Sequence, residues 1–254
     1  MDVDWRRLRA VVIESDDWGL CAWVPDEQAH AALRDLPAFG SPSGARYGRS
    51  TLETAGDVRQ LADLLLGWRG GDGFPPVLQA NTVVANPDYD AMRPPFALDE
   101  IPILRFPDLP ARWRRIGLAD AVRDAEAAGV WWAELHGLHH LPEGAWLGAL
   151  RRGDDDAIRA WREQSPIGVA VEASGEYDDT EPRERRARSL QAAIRAFRSG
   201  FGRAPASLCP PDYRFDDWLE GEAARLGIAI LQGGAEQAGR TLPQIGRASC
   251  RERV

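Results

Sequence analysis

The chain has 254 residues, 44% of them hydrophobic, enough to bury a substantial core in one domain without requiring two. Its 31 basic residues, all arginine, are outnumbered by 39 acidic ones for a formal net charge of -8, so no basic field draws it to nucleic acid or an anionic membrane. Three cysteines without a CxxC pair, no apolar leader behind Met1 and no run long enough to span a bilayer predict a soluble, cytoplasmic chain.

Val11-Val12-Ile13 reads as a short buried strand that stops at Glu14-Ser15-Asp16-Asp17. Asp26-Glu27 open a first helix that runs to about Leu36, with acidic residues at the favourable end of the dipole. Pro37 to Gly48 is a loop by its Gly, Ser and Pro, and Val58, Leu61, Leu64 and Leu65 have helical spacing within Asp57 to Leu66. Val77 to Ala85 is a second strand, with Asn81, Asn86 and Asp88 towards its end. The Pro-rich stretch 87–112 reads as a long surface excursion that shapes a cleft.

Leu118 to Ala128 is a helix ended by Gly129, and Val130 to Leu135 is a strand that runs straight into His136. Helix follows from about Ala145 to Arg162, re-capped midway at Gly153 and Asp154-Asp155-Asp156. Ile167 to Val171 reads as a strand, Glu181 to Phe197 as an amphipathic helix, and Ala206 to Cys209 as a strand ending at Pro210-Pro211. A helix over Leu219 to Leu226 and a strand over Ile228 to Leu231 complete an alternation that predicts an α/β fold with a mainly parallel sheet, open or closed into a barrel. Ile245 to Val254 reads IGRASCRERV, the translation in one frame of a common sequencing adapter. Residues 1–244 are therefore taken as one domain, 245–254 as an artefactual tail, and the natural chain is expected to continue past Gln244.

Only four histidines occur, yet His136, His139 and His140 fall together just after a strand, where parallel-sheet proteins place their sites. Imidazoles four residues apart converge on one cation if the backbone turns, and a carboxylate from another strand end completes an N,N,O set. Asp16 and Asp17 offer that carboxylate: two adjacent charges at a strand end repel one another unless a cation or shared proton offsets the repulsion. Their side chains would point oppositely on an extended backbone, which leaves open which one ligates.

Ser15-Asp16-Asp17-Trp18-Gly19, His136-Gly137-Leu138-His139-His140 and Leu208-Cys209-Pro210-Pro211-Asp212-Tyr213, in that order, resemble the polysaccharide deacetylase superfamily of NodB-like carbohydrate esterases. The resemblance implies an irregular (β/α)7-type barrel, incomplete at the C-terminus here. It also implies Asp16 as general base, Asp17, His136 and His140 as metal ligands, and His139 as a neighbour behind them. Gly137 replaces the usual Ser or Thr that helps hold the loop, and Cys209 the usual Arg that orients the base, with Arg214 near enough to supply charge. Pro210, Pro211, Tyr213, Arg214 and Trp18 would line the substrate, and the Asp212 N–H would receive the oxyanion. The His-bearing last strand that carries the family's general acid is not found, Gln232 following the last strand in view, and the acid is expected beyond residue 244.

The resemblance therefore implies a metal-dependent hydrolase that removes N- or O-acetyl groups from a saccharide, with zinc as first choice and cobalt, nickel or manganese compatible with the same ligands. The residues themselves leave open a hydrolase acting on another C–N or C–O bond, or a saccharide-binding domain without turnover. Of ten tryptophans, Trp18 is the one expected at the cleft, while Trp131 and Trp132 alternate across a strand. Glu172, Glu176, Asp178 and Asp179 read as an acidic surface loop.

Overall fold

The computed structural model describes residues 12–167 and 175–233. Val11, most of the strand expected over Ile167 to Val171, Glu172 and the tail from Ile245 lie outside the described residues.

Among the described residues five strands form one parallel sheet: β1 (Ile13–Trp18), β2 (Leu78–Thr82), β5 (Trp131–Leu135), β6 (Ser207–Leu208) and β7 (Ile230–Leu231), side by side in that order. Each parallel step moves the same way along the sheet, as around the wall of a barrel, whereas a doubly wound sheet reverses direction midway. The expected α/β class is thus met, and among the described residues the sheet is an open arc with β1 and β7 at its edges. A small antiparallel pair, β3 (Ala85–Pro87) and β4 (Ile103–Arg105), stands apart.

Among the described residues eight α-helices accompany the strands: α1 (Glu27–Leu33), α2 (Pro42–Tyr47), α3 (Ala55–Leu66), α4 (Leu118–Ala127), α5 (Glu143–Arg152), α6 (Asp155–Arg162), α7 (Arg183–Phe201) and α8 (Asp217–Arg225). Helices α3 and α4 bury Val58, Ala62, Leu65, Ala121 and Val122 against Leu78, Ala80 and Trp131 of the sheet. Helices α7 and α8 bury Leu190, Phe197 and Leu219 against Leu135 and Leu208. Burying such side chains supplies the main drive for the fold, at about 1.5–3 kcal/mol for each large one. None of the described helices is long and apolar enough to cross a membrane.

Three expectations need correction. The stretch Pro37 to Gly48 contains a 3-10 turn and α2, because the Ser41 hydroxyl accepts from the Gly44 N–H at 3.0 Å and Pro42 is preset for the first helical position. Val77 to Ala85 is two strands rather than one: the chain leaves the parallel sheet at Val83 and re-pairs as β3 with β4, which lies inside the supposedly irregular excursion. The carboxylate pair lies inside β1, which continues to Trp18. The re-capping between α5 and α6 occurs as expected, with Gly153 at φ 71° and the Asp154 carboxylate accepting from the Asp156 and Ala157 N–H groups.

Candidate metal centre

The centre begins with an irregularity in β1. Ser15 pairs with Ala80 and Trp18 with Thr82, so β1 spends three steps where β2 spends two. Asp17 absorbs the extra residue in the left-handed region at φ 69°. Such a bulge re-aims side chains, and here both carboxylates reach the C-terminal end of the sheet rather than opposite faces. Asp16 Oδ1 accepts from Asn81 Nδ2 at 2.7 Å and lies 3.7 Å from Cys209 Sγ, while Asp16 Oδ2 accepts from the Tyr213 hydroxyl at 2.5 Å. Asp17 Oδ1 lies 3.2 Å from His136 Nε2 and 3.5 Å from His140 Nε2.

His136 follows β5 directly and is buried. Its Nδ1 lies 2.7 Å from the Cys209 carbonyl oxygen, which can only accept, so Nδ1 carries a proton, and Nε2 faces Asp17 as a donor when the ring is charged and as a lone pair when it is neutral. A lone pair against a carboxylate oxygen calls for a positive charge between them. The acid–base balance of the pair agrees. Crowding by protein pushes the Asp17 carboxyl up, but the hydrogen bond from His136 and the charges of His140 and His136 hold it below its ordinary value. Burial pushes the His136 imidazole down, and its bond to Asp17 with the charges of Asp17 and Asp16 raises it above its ordinary value.

The loop beyond His136 turns at Gly137, φ 83°, and His140, φ 62°, which returns the second imidazole to Asp17. Behind it lies the buried carboxylate of Glu176. Glu176 accepts from the N–H groups of Leu138 at 3.0 Å, His139 at 3.1 Å and His140 at 2.9 Å, and also from the Ser189 hydroxyl of α7. Burial pushes the Glu176 carboxyl up, but His139, the Ser189 hydroxyl and these amides outweigh it and hold the group ionised below its ordinary value.

The donor set fits a divalent cation. Around a tetrahedral ion with bonds of about 2.0–2.1 Å, ligand atoms stand about 3.4 Å apart, and the separations from Asp17 to the two imidazoles are 3.2 and 3.5 Å. Asp16, His136 and Cys209 form a second converging group that shares His136. Burial and the Asp16 charge push the Cys209 thiol far up, so without a cation it stays protonated and serves Asp16 as a weak donor. The Asp17, His136 and His140 set contains no thiol to deprotonate, which makes it the better candidate.

Sequence reasoning and structure part company at several side chains. Trp18, expected at the cleft, is partly buried and packs against the core, edge to face with Trp131 at 4.5 Å. Trp131 is buried and Trp132 exposed, on opposite faces as expected, with Trp132 under the Arg203 guanidinium. Arg214 supplies no charge to Asp16; it binds Asp178 at 2.7 Å, and Asn81, Tyr213 and Cys209 stand around Asp16 instead. His139 is buried and accepts from the Leu141 N–H through Nδ1. Pro211 packs against Gly137, and Pro210 leads into the turn where Asp212 and Tyr213 both have φ 55°. The Asp212 N–H has no hydrogen-bond partner among the described residues. Glu176 and Asp178, expected on an acidic surface, are both buried. Asn81 also donates to Gln232 Oε1 at 3.1 Å, which ties the last strand to the Asp16 network. A buried carboxylate far along the chain from its partners leaves no periodic signal, so Glu176 could be noticed only as an acidic residue near a Gly.

No protein-family model matches the chain, and no curated protein matches it. Three solved structures are similar to it. A polysaccharide deacetylase from Bacillus cereus shares 9% identity over 85% of this chain and 54% of its own, with a TM-score of 0.34. The BpsB deacetylase domain from Bordetella bronchiseptica shares 17% over 74% and 67%, with a TM-score of 0.35. A de-N-acetylase from Aggregatibacter actinomycetemcomitans shares 16% over 87% and 85%, with a TM-score of 0.33. The chain spans about half the length of the first of these.

Proposed function

We propose that the chain is a metal-dependent hydrolase that removes N- or O-acetyl groups from a saccharide. The observation that carries this reading is the meeting of Asp17 Oδ1 with His136 Nε2 at 3.2 Å and His140 Nε2 at 3.5 Å, next to a second carboxylate, Asp16, that is not needed as a ligand. Asp17, His136 and His140 would hold the cation, zinc as first choice. When bound, a cation supplies Lewis acidity, polarising a carbonyl and making a water more acidic.

The residues around it divide the remaining work. Asp16 acts as general base, taking a proton from the attacking water. Asn81 and Tyr213 bond its two oxygens separately and so fix the carboxylate plane without the cation of an Arg side chain. The Asp212 N–H, held in a left-handed turn beside Tyr213, is the donor for the developing oxyanion. The Cys209 carbonyl orients His136 and so sets which ring nitrogen ligates.

Two measurements test this reading. Protein dialysed against zinc should retain about one ion per chain, and His136→Ala and Asp17→Ala should each lose most of it; unchanged metal content in both ends the metal-site reading. Released acetate from acetylated chito-oligosaccharides and O-acetylated xylan should fall by about 100-fold or more in Asp16→Asn while zinc stays bound. Retained zinc without acetate release from any acetylated sugar would leave a hydrolase of another bond or a saccharide-binding domain without turnover.

A further inference from the structure

We infer that Glu176 is the positioning residue of the cation loop, clamping the amides of Leu138, His139 and His140 so that the His140 imidazole meets Asp17; this rests on the metal reading above. Three consecutive N–H groups pointing at one spot make an anion-binding nest. Here the anion is a side chain of the same molecule, at 3.0, 3.1 and 2.9 Å from those nitrogens. The clamp is itself anchored: the Ser189 hydroxyl on α7 donates to the same carboxylate, and both side chains are buried. Loop and helix are thus joined through one group.

The space beside Gly137 points the same way. A Cβ there would come within 2.6 Å of Glu176 Oε2 and 3.0 Å of Pro211. The carboxylate therefore occupies the room that a side chain at 137 would need, and the absence of that side chain is what lets Glu176 approach. His140 must hold φ 62°, a conformation unfavourable for a residue with a Cβ, for its ring to return to Asp17. An N–H bonded to Glu176 at that same residue holds it there.

Glu176→Gln tests the assignment because it keeps the shape but replaces one accepting oxygen by an amino group that faces donors. Partners behind metal ligands change metal affinity by roughly 10–100-fold when altered. Zinc titrated into the apoprotein should bind that much more weakly in Glu176→Gln. Amide exchange at Leu138, His139 and His140 should accelerate at least about 10-fold without metal. Glu143→Gln is the control: Glu143 is also buried and accepts a backbone N–H, from Ile101 at 2.5 Å, but lies outside the clamp. It should leave zinc affinity unchanged. Parental affinity and exchange in Glu176→Gln, or an equal loss in Glu143→Gln, overturns the assignment alone. A parent protein that takes up no zinc overturns the metal reading and this one with it.

Discussion

Glu53 shows how far one side chain can depart from its ordinary chemistry in this protein. Burial pushes its carboxyl up to about 7, and the bonds from its own and the Gly19 N–H, with Arg115 nearby, reverse only part of that. The folded chain therefore binds a proton between pH 4.5 and about 7 that the unfolded chain has lost, and stability falls as pH rises through that window. At about 1.4 kcal/mol per pKa unit the loss is on the order of 3 kcal/mol. Urea unfolding at pH 5 and pH 8 should register it, and Glu53→Gln, which can still accept from Gly19, should flatten the difference. A Glu53→Gln protein with the parental pH dependence would place the slope elsewhere. Among single residues, the proposed ligands are legible in the sequence because scarce histidines and paired carboxylates stand at strand ends. Glu53 and Glu176 are not, since burial depends on neighbours remote in the chain.

The loop from Gly137 to Leu141 and the bulged end of β1 are the elements that make the site. Each relies on left-handed residues, Gly137 and His140 in one and Asp17 in the other. Gly137→Ser should cost about 2–4 kcal/mol, from backbone strain and the clash with Glu176. Combined with Glu176→Ala it should cost clearly less than the sum of the two single changes, because the clash then disappears. Strictly additive unfolding energies in a double-mutant cycle would show that the two positions do not compete for one space. Helix periodicity reads well where a face is buried: Val58 and Leu65 of α3 face the core as expected, although Leu64 is 59% exposed. The bulge leaves no such trace, because Asp17 in the left-handed region is a property of pairing with β2 and not of the local sequence.

Across the whole molecule, the proposed ligands come from β1 at one edge of the sheet and from the loop after β5 at its middle, with β2 between them. A cation held by both elements binds only the folded chain and stabilises it by mass action. Zinc at about 100 times its dissociation constant should add about 2.7 kcal/mol, and a chelator should remove the gain. An unfolding midpoint indifferent to zinc and chelator would mean that the ligands do not close on an ion. The strand order matters as well. Parallel strands laid down in chain order bring the ends of β1, β5 and β6 to one rim, and Asp16, His136 and Cys209 meet there although 193 residues separate the first from the last.

Local patterns in the sequence establish the alternating elements, the acidic character and the identity of Asp16, Asp17, His136 and His140 as a chemical group, because apolar periodicity and residue scarcity are properties of short stretches. Long-range packing decides the rest. It packs Trp18 on Trp131, sets Tyr213 and Asn81 on Asp16, sends Arg214 to Asp178 and buries Glu176 under three amides. Those outcomes follow from a strand bulge, a helix anchor and a few side-chain volumes, whose effects arise only when segments far apart in the chain share one space.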